Sequence, residues 1–292
     1  MPWRKGNRLH LVPKPEASGR IASIFEEVET ALGIGYVPLC FQAFAAYPKF
    51  LEAQWQALKP LLATREFFDL AGRLRAESYT YVHSYFKVSA LGEGLTASQA
   101  APVVDLLSYV EPAMLLLLTV QMQAFDGATG KSDAPHPADR AVYNVKPDFV
   151  DAETVSAPVR HVLDEMRHAL ELPFSGDEQL ALAQWPELLF SYWHGLKPMV
   201  QSIFHERGVS HIRESAWNCA QEIPIQVDLE YSRLLAAGMT AEDITTLTHL
   251  TELLVRGTAA GLLDLAFAKI GIEGGNGVDA SESNTLAQRE VA

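Results

Sequence analysis

The sequence predicts an all-α protein, a tandem repeat of two pseudo-symmetric helical bundle units joined by a Pro/Gly-rich linker. Three observations carry that expectation. Apolar residues recur at three- and four-residue spacing along almost the whole chain, the period of an amphipathic helix. Alternating β-branched runs bounded by turn residues, the mark of strands, are nearly absent. A shift of 138 positions lays Gln42–Leu62 over Leu180–Val200 without a gap, and eight of the 21 positions are then identical, among them Pro48/Pro186, Trp55/Trp193, Lys59/Lys197 and Pro60/Pro198. Ordinary composition would give roughly one or two by chance.

Residues 1–18 form a polar, Pro-containing arm. The first unit, residues 19–125, opens on the stripe Ile21, Ile24, Phe25, Val28, Leu32 and continues through Phe67–Val82 and Ser98–Phe125. Residues 126–154 contain Gly127, Gly130, Pro135, Pro137 and Pro147, a density of chain breakers that reads as a linker. The second unit, residues 155–272, carries stripes over Ala157–Leu170, Gln179–Phe204 and Ala241–Ile270. The same shift pairs Ile24–Leu32 with Val162–Leu170. With a few inserted residues, Leu95-Thr96-Ala97-Ser98 falls on Met239-Thr240-Ala241-Glu242, each an N-cap signature before a long apolar helix. Shared Trp55/Trp193 read as packing residues and Pro60/Pro198 as helix-ending ones. Residues 273–292, rich in Gly, Ser, Asn and Glu without an apolar stripe, are expected to be a disordered tail.

Composition narrows the function. At 48% hydrophobic and 20% charged residues over 292 positions, the chain reads as a soluble globular protein with a sizeable core. With 23 Lys+Arg against 36 Asp+Glu the formal charge is −13, and no dense basic patch offsets it, which argues against nucleic acid. The most apolar stretch, Ala113–Val120, falls far short of a bilayer span, so no membrane partner is expected. The positive start lacks an apolar segment behind it, and Cys40 and Cys219 form neither a CxxC nor a zinc spacing; both fit a cytoplasmic location. No cofactor is implied. Gly33-Ile34-Gly35 lacks the third glycine and strand context of a dinucleotide loop, and no GxSxG occurs. Glu165 and His168 make a single ExxH where a di-iron bundle needs two, which argues against metal. A small molecule is the expected partner; a homodimer is left open.

If the halves share a fold, function lies where they differ. Val37-Pro38-Leu39-Cys40 in the first half faces Ser175-Gly176-Asp177-Glu178 in the second. Carboxylates at a helix start are stabilised when ionised, and an ionised carboxylate can take a proton from water. The same residues also spell a capping box from Ser175 to Glu178 with Asp177 as an ordinary first-turn acid. Glu111, just before Pro112, and Arg256 each place a lone charge inside a long apolar segment, costly unless paired or used. The structural alternative makes Pro112 the first residue of a new helix and Arg256 the partner of a buried carboxylate such as Glu111.

These residues resemble a known family. Phe25-Glu26-Glu27-Val28, Phe44-Ala45-Ala46-Tyr47-Pro48, Leu74-Arg75-Ala76-Glu77-Ser78 and Glu111-Pro112 in the first half, with Ala181-Leu182-Ala183-Gln184-Trp185-Pro186 and Gly238-Met239-Thr240 in the second, are similar in order and spacing to the DehI family, the group I 2-haloacid dehalogenases. The resemblance covers roughly residues 18–272. It implies an all-helical, cofactor-independent hydrolase of two pseudo-symmetric halves that removes halide from short 2-halocarboxylic acids, a carboxylate activating water that displaces halide at C2 directly. Counted back from Trp185-Pro186, the family's water-activating Asp falls on Glu178 and the preceding Ser on Asp177. Its water-orienting Asn, ahead of a Pro, falls on Glu111; pocket aromatics fall on Tyr36 and Leu39; Arg256 matches an Arg. The expected assignments are thus Glu178, Asp177 and Glu111 as catalytic, and Tyr36, Leu39 and Arg256 as substrate-binding. Asp to Glu lengthens the base by one methylene, and Asn to Glu adds an acid beside it. The competing expectation is a non-catalytic ligand-binding or interaction protein on the same scaffold.

Overall fold

The structure, a computed structural model, describes residues 9–91, 95–139 and 142–276. Among the described residues, eleven α-helices run in chain order: α1 (Gly19–Leu32), α2 (Leu39–Phe44), α3 (Pro48–Leu58), α4 (Arg65–Tyr85), α5 (Leu95–Asp126), α6 (Ala157–Ala169), α7 (Asp177–Leu182), α8 (Pro186–Val200), α9 (Ile203–Glu222), α10 (Tyr231–Ala236) and α11 (Ala241–Ile272). Among the described residues there is no strand, only isolated bridges such as Thr129 with Val227. The all-α expectation holds.

Several ends follow from local chemistry. Thr64 and Ser202 accept the backbone N–H groups of Phe67 and His205 and so cap α4 and α9. Thr240 and Asp243 form a reciprocal capping box that starts α11. Prolines at the first positions of α3 and α8 forfeit no helical hydrogen bond there. Pro60 follows α3 in a short 3-10 turn as anticipated, whereas Pro198 lies inside α8, near its end. The single stripe read over Gln179–Phe204 divides into α7, α8 and the start of α9.

The starts of α6, α7, α8 and α9 (157, 177, 186, 203) each follow those of α1, α2, α3 and α4 (19, 39, 48, 65) by 138 residues. Side-chain contacts keep the same offset. Trp55 Nε1 donates to Glu27 at 2.7 Å and Trp193 Nε1 to Glu165 at 2.8 Å. Lys59 and Lys197 reach the same two glutamates and lie 5.8 Å from the centroids of Trp55 and Trp193.

At the centre α5 packs on α11 along their length, with α4 and α9 against both. These two helices, 32 residues each, are buried along most of their length. Two expectations for α5 are corrected here. The helix runs unbroken through Pro112, so Glu111 lies inside it and is no cap. It is also long and apolar enough to cross a membrane, but 89% of the qualifying window is buried in the protein, the signature of a core helix.

A hydrogen-bonded chain, Gln54 to Gln121 to Thr251, ties α3, α5 and α11 within the apolar interior. Truncating Gln121 to Ala orphans both neighbours and opens a cavity. Urea unfolding of that variant is expected to show a loss of about 2–4 kcal/mol.

The Gly/Pro-rich segment between α5 and α6 is a strap tied to the body. Thr129 exchanges backbone hydrogen bonds with Val227, and Ala138, Tyr143 and Val150 donate to Ala63, Gly33 and Leu180. After α11, Asn276 is fixed by bonds with Val88 and Phe86. The rest of the tail expected to be disordered, 277–292, and residues 1–8 of the arm lie outside the described residues.

Candidate active site

The short helices α2 and α7 approach each other at their first turns. Leu39 N–H, at the start of α2, donates to Asp177 Oδ2, at the start of α7, at 3.1 Å. Glu111, on α5, completes a group of three carboxylates lining one cavity. The apolar part of its lining is Leu39, Cys40, Met114, Leu170, Leu172, Phe174 and Leu254. The remaining space is about 30 Å³, room for a water-sized occupant.

Each acid is buried. Burial lifts the Asp177 carboxyl to about 7, although the Leu39 N–H partly opposes the rise. Glu178 is pushed up to about 8, first by burial and then by the charge of Asp264 on α11. Glu111 goes well above the ordinary carboxylate range through burial, with Asp177 and Glu178 adding to it. Among the described residues no Lys or Arg lines the cavity to compensate three charges there. The group therefore holds protons into the neutral range, and successive ionisations oppose each other.

The Glu178 side chain folds back over Gly176 and against α11. A Cβ at 176 would stand within 2.6 Å of Glu178 Oε1, and one at Gly261 within 3.4 Å of Oε2. Two glycines thus make the niche that holds this carboxylate. Ser175 does not cap the helix: Gly176 is the N-cap residue, and Ser175 Oγ is buried without a hydrogen-bond partner. The capping-box alternative for Ser175 and Glu178 is overturned.

Of the residues singled out from sequence, Glu111, Asp177, Glu178 and Leu39 meet around the cavity. Tyr36 lies beside it, its ring 4.9 Å from Phe149, its hydroxyl buried without a partner and its ionisation raised by burial and then by Asp177 and Glu111. Arg256 does not pair with Glu111. Its Nη2 donates to the carbonyl of Glu171 at 2.6 Å, in the turn where Glu171 takes φ 54°. It flanks the lining residue Gly257 without lining the cavity itself.

Sequence reasoning missed the polar group behind Glu178. Asp264 is fully buried, its Oδ1 3.1 Å from His205 Nε2, and Tyr192 Oη donates to its backbone carbonyl at 3.2 Å. Asp264 interrupts the run Leu262-Leu263-Asp264-Leu265, the same lone-acid signal that singled out Glu111.

Residues 35–179 match the family model described as halocarboxylic acid dehydrogenase DehI. Over that span, just under half of its length, the chain is similar to the DehI family. Glu111, Asp177 and Glu178 all fall within it. The chain is similar to a protein of Pseudomonas putida named (R)-2-haloacid dehalogenase, 22% identical over 83% of this chain and 85% of that protein. A configuration-inverting 2-haloacid dehalogenase of Pseudomonas sp. (strain 113) is 24% identical over 80% of this chain and 81% of its own length. A solved structure of a D-2-haloacid dehalogenase mutant superposes with a TM-score of 0.85 at 19% identity, covering 91% of this chain and 97% of that one. At such identity the superposition shows a common fold.

Proposed function

We propose that this protein is a DehI-family hydrolase acting on the carbon–halide bond of short 2-haloalkanoic acids, with Glu178 as the base that activates water. The observation that carries this reading is the niche itself: a buried carboxylate held by Gly176 and Gly261 at the edge of a water-sized cavity with apolar walls. The two-unit reading supports it, since helix starts and the tryptophan–glutamate contacts recur at an offset of 138 residues and the cavity lies where α2 meets α7. Two buried, unpaired cysteines agree with a cytoplasmic setting.

In this reading a water seated between the acids loses a proton to Glu178 as its oxygen bonds C2, and the halide leaves with the bonding pair. Glu111, kept neutral by its surroundings, donates a hydrogen bond where the family's Asn would offer an amide. Leu172 and Phe174 give the departing halide a weakly hydrated wall. Arg256 meets the substrate carboxylate after exchanging its bond to the Glu171 carbonyl. The relatives carry haloacid dehalogenase names, which favours this activity over a purely ligand-binding role.

Incubation with each enantiomer of 2-chloropropionate, with halide and lactate quantified, tests the proposal; absence of both products overturns it. Gly176→Ala is expected to displace the Glu178 carboxylate and cut halide release at least tenfold, since ångström-scale misplacement of a reacting group costs rate heavily.

A further inference from the structure

A base that takes a proton from water must lose it before the next turnover, and away from the cavity one side of Glu178 offers a further titratable pair. That side is α11. Gly261, whose Cβ position lies 3.4 Å from Glu178 Oε2, is one turn before Asp264, so the two present the same face of the helix to α7. Asp264 Oδ2 is buried and has no hydrogen-bond partner among the described residues, while Oδ1 meets His205 Nε2 at 3.1 Å. His205 is held in the first turn of α9, its own N–H bonded to the capping Ser202 Oγ at 3.3 Å. Burying a carboxylate against an imidazole is costly, and the apolar face of α11 would pack without either.

We propose that Asp264 and His205 form a relay behind Glu178, which receives the proton taken from water and passes it toward the start of α9. The proposal rests on the hydrolytic reading above. The Glu178 carboxyl gives its proton by way of water to Asp264, Asp264 gives one to His205 Nε2, and the imidazolium releases a proton from Nδ1 to bulk water, so that Glu178 returns to the carboxylate and His205 to the neutral form. Both residues are positioning residues acting through Glu178. The titratable groups facing them are Glu178 from α7 and Tyr192 from α8, with Asp177 and Glu111 beyond Glu178 on the cavity side. Tyr192 Oη is committed to the Asp264 backbone carbonyl and stays outside the relay.

The test compares wild type, Asp264→Asn and His205→Gln, with melting temperatures to confirm folding. In wild type and Asp264→Asn, carbon-13-labelled glutamate reads the Glu178 carboxyl by NMR titration, independently of turnover. Removing the Asp264 charge is expected to shift that titration to lower pH, by about one unit. In halide-release assays His205→Gln, which retains a donor for Asp264 but cannot take up a proton, is expected to lose about tenfold in kcat with KM unchanged. Its solvent isotope effect should rise, and the deficit should shrink at high pH, where hydroxide accepts the proton instead. An unmoved Glu178 titration in Asp264→Asn overturns the relay, as does a wild-type kcat and pH profile in His205→Gln. If wild type released no halide the hydrolytic reading would fail separately; an unchanged titration would still count against the relay, and a shifted one would establish the coupling between Asp264 and Glu178.

Discussion

Replacing Glu178 by Gln is expected to lower kcat for halide release by about a hundredfold to ten-thousandfold, the range that removal of a general base commonly produces. Gln matches Glu in size and fits the niche between Gly176 and Gly261, so KM and the melting temperature should change little. The wild-type rate should climb with pH as Glu178 ionises, with a midpoint near 8, because burial and then Asp264 hold its proton on. In the variant this climb should disappear. Steady-state halide release between pH 6 and 10 checks both parts. A variant with wild-type kcat would move the base role to Asp177, the other acid at the start of α7.

The second large effect concerns stability. Asp177 and Glu178 ionise near 4 when unfolded but at about 7 and about 8 in the folded protein. Between those limits the folded state binds more protons than the unfolded one, so stability falls as pH rises. Their favourable contribution is complete below the unfolded values and has vanished once pH passes the folded ones. At about 1.4 kcal/mol per unit, about two units for Asp177 and about three for Glu178 should together cost on the order of 7 kcal/mol between pH 5 and pH 9. Carboxylates with depressed values act the other way in a lower window. Glu27, held down to about 2 by Lys59, Trp55 and Arg20, loses its contribution only as pH falls below 4.5. Thermal or urea unfolding at pH 5, 7 and 9 should therefore show a decline in wild type. The double variant Asp177→Asn, Glu178→Gln should decline less steeply, keeping the slope of the still-buried Glu111, and be more stable than wild type at pH 9. A wild-type stability that rises over that interval would contradict the burial of these acids.

Much of the helical frame is legible in the residues themselves. The three- and four-residue stripes mark the long helices, and Thr240 with Asp243 forms a cap where the sequence places one. Comparison of the halves also singles out Glu111, Asp177 and Glu178, which meet around one cavity. What stays hidden is decided by packing at a distance. Pro112 is a local signal for a helix break, yet α5 continues because its surroundings are buried on all sides and outweigh one lost backbone bond. Ser175 has the spacing of a cap, yet the Glu178 carboxylate turns back over Gly176. The Asp264–His205 contact joins residues 59 positions apart on different helices, and no local spacing announces it. Arg256 looks like the natural partner for a buried acid, but the Glu171 carbonyl takes its guanidinium.

The cavity draws Glu111 and Leu39 from before the strap, and Asp177, Glu178 and the α11 wall from after it. Neither portion by itself encloses the acids. Because both portions supply acids and apolar lining, severing the chain within the strap would leave each fragment holding an incomplete pocket.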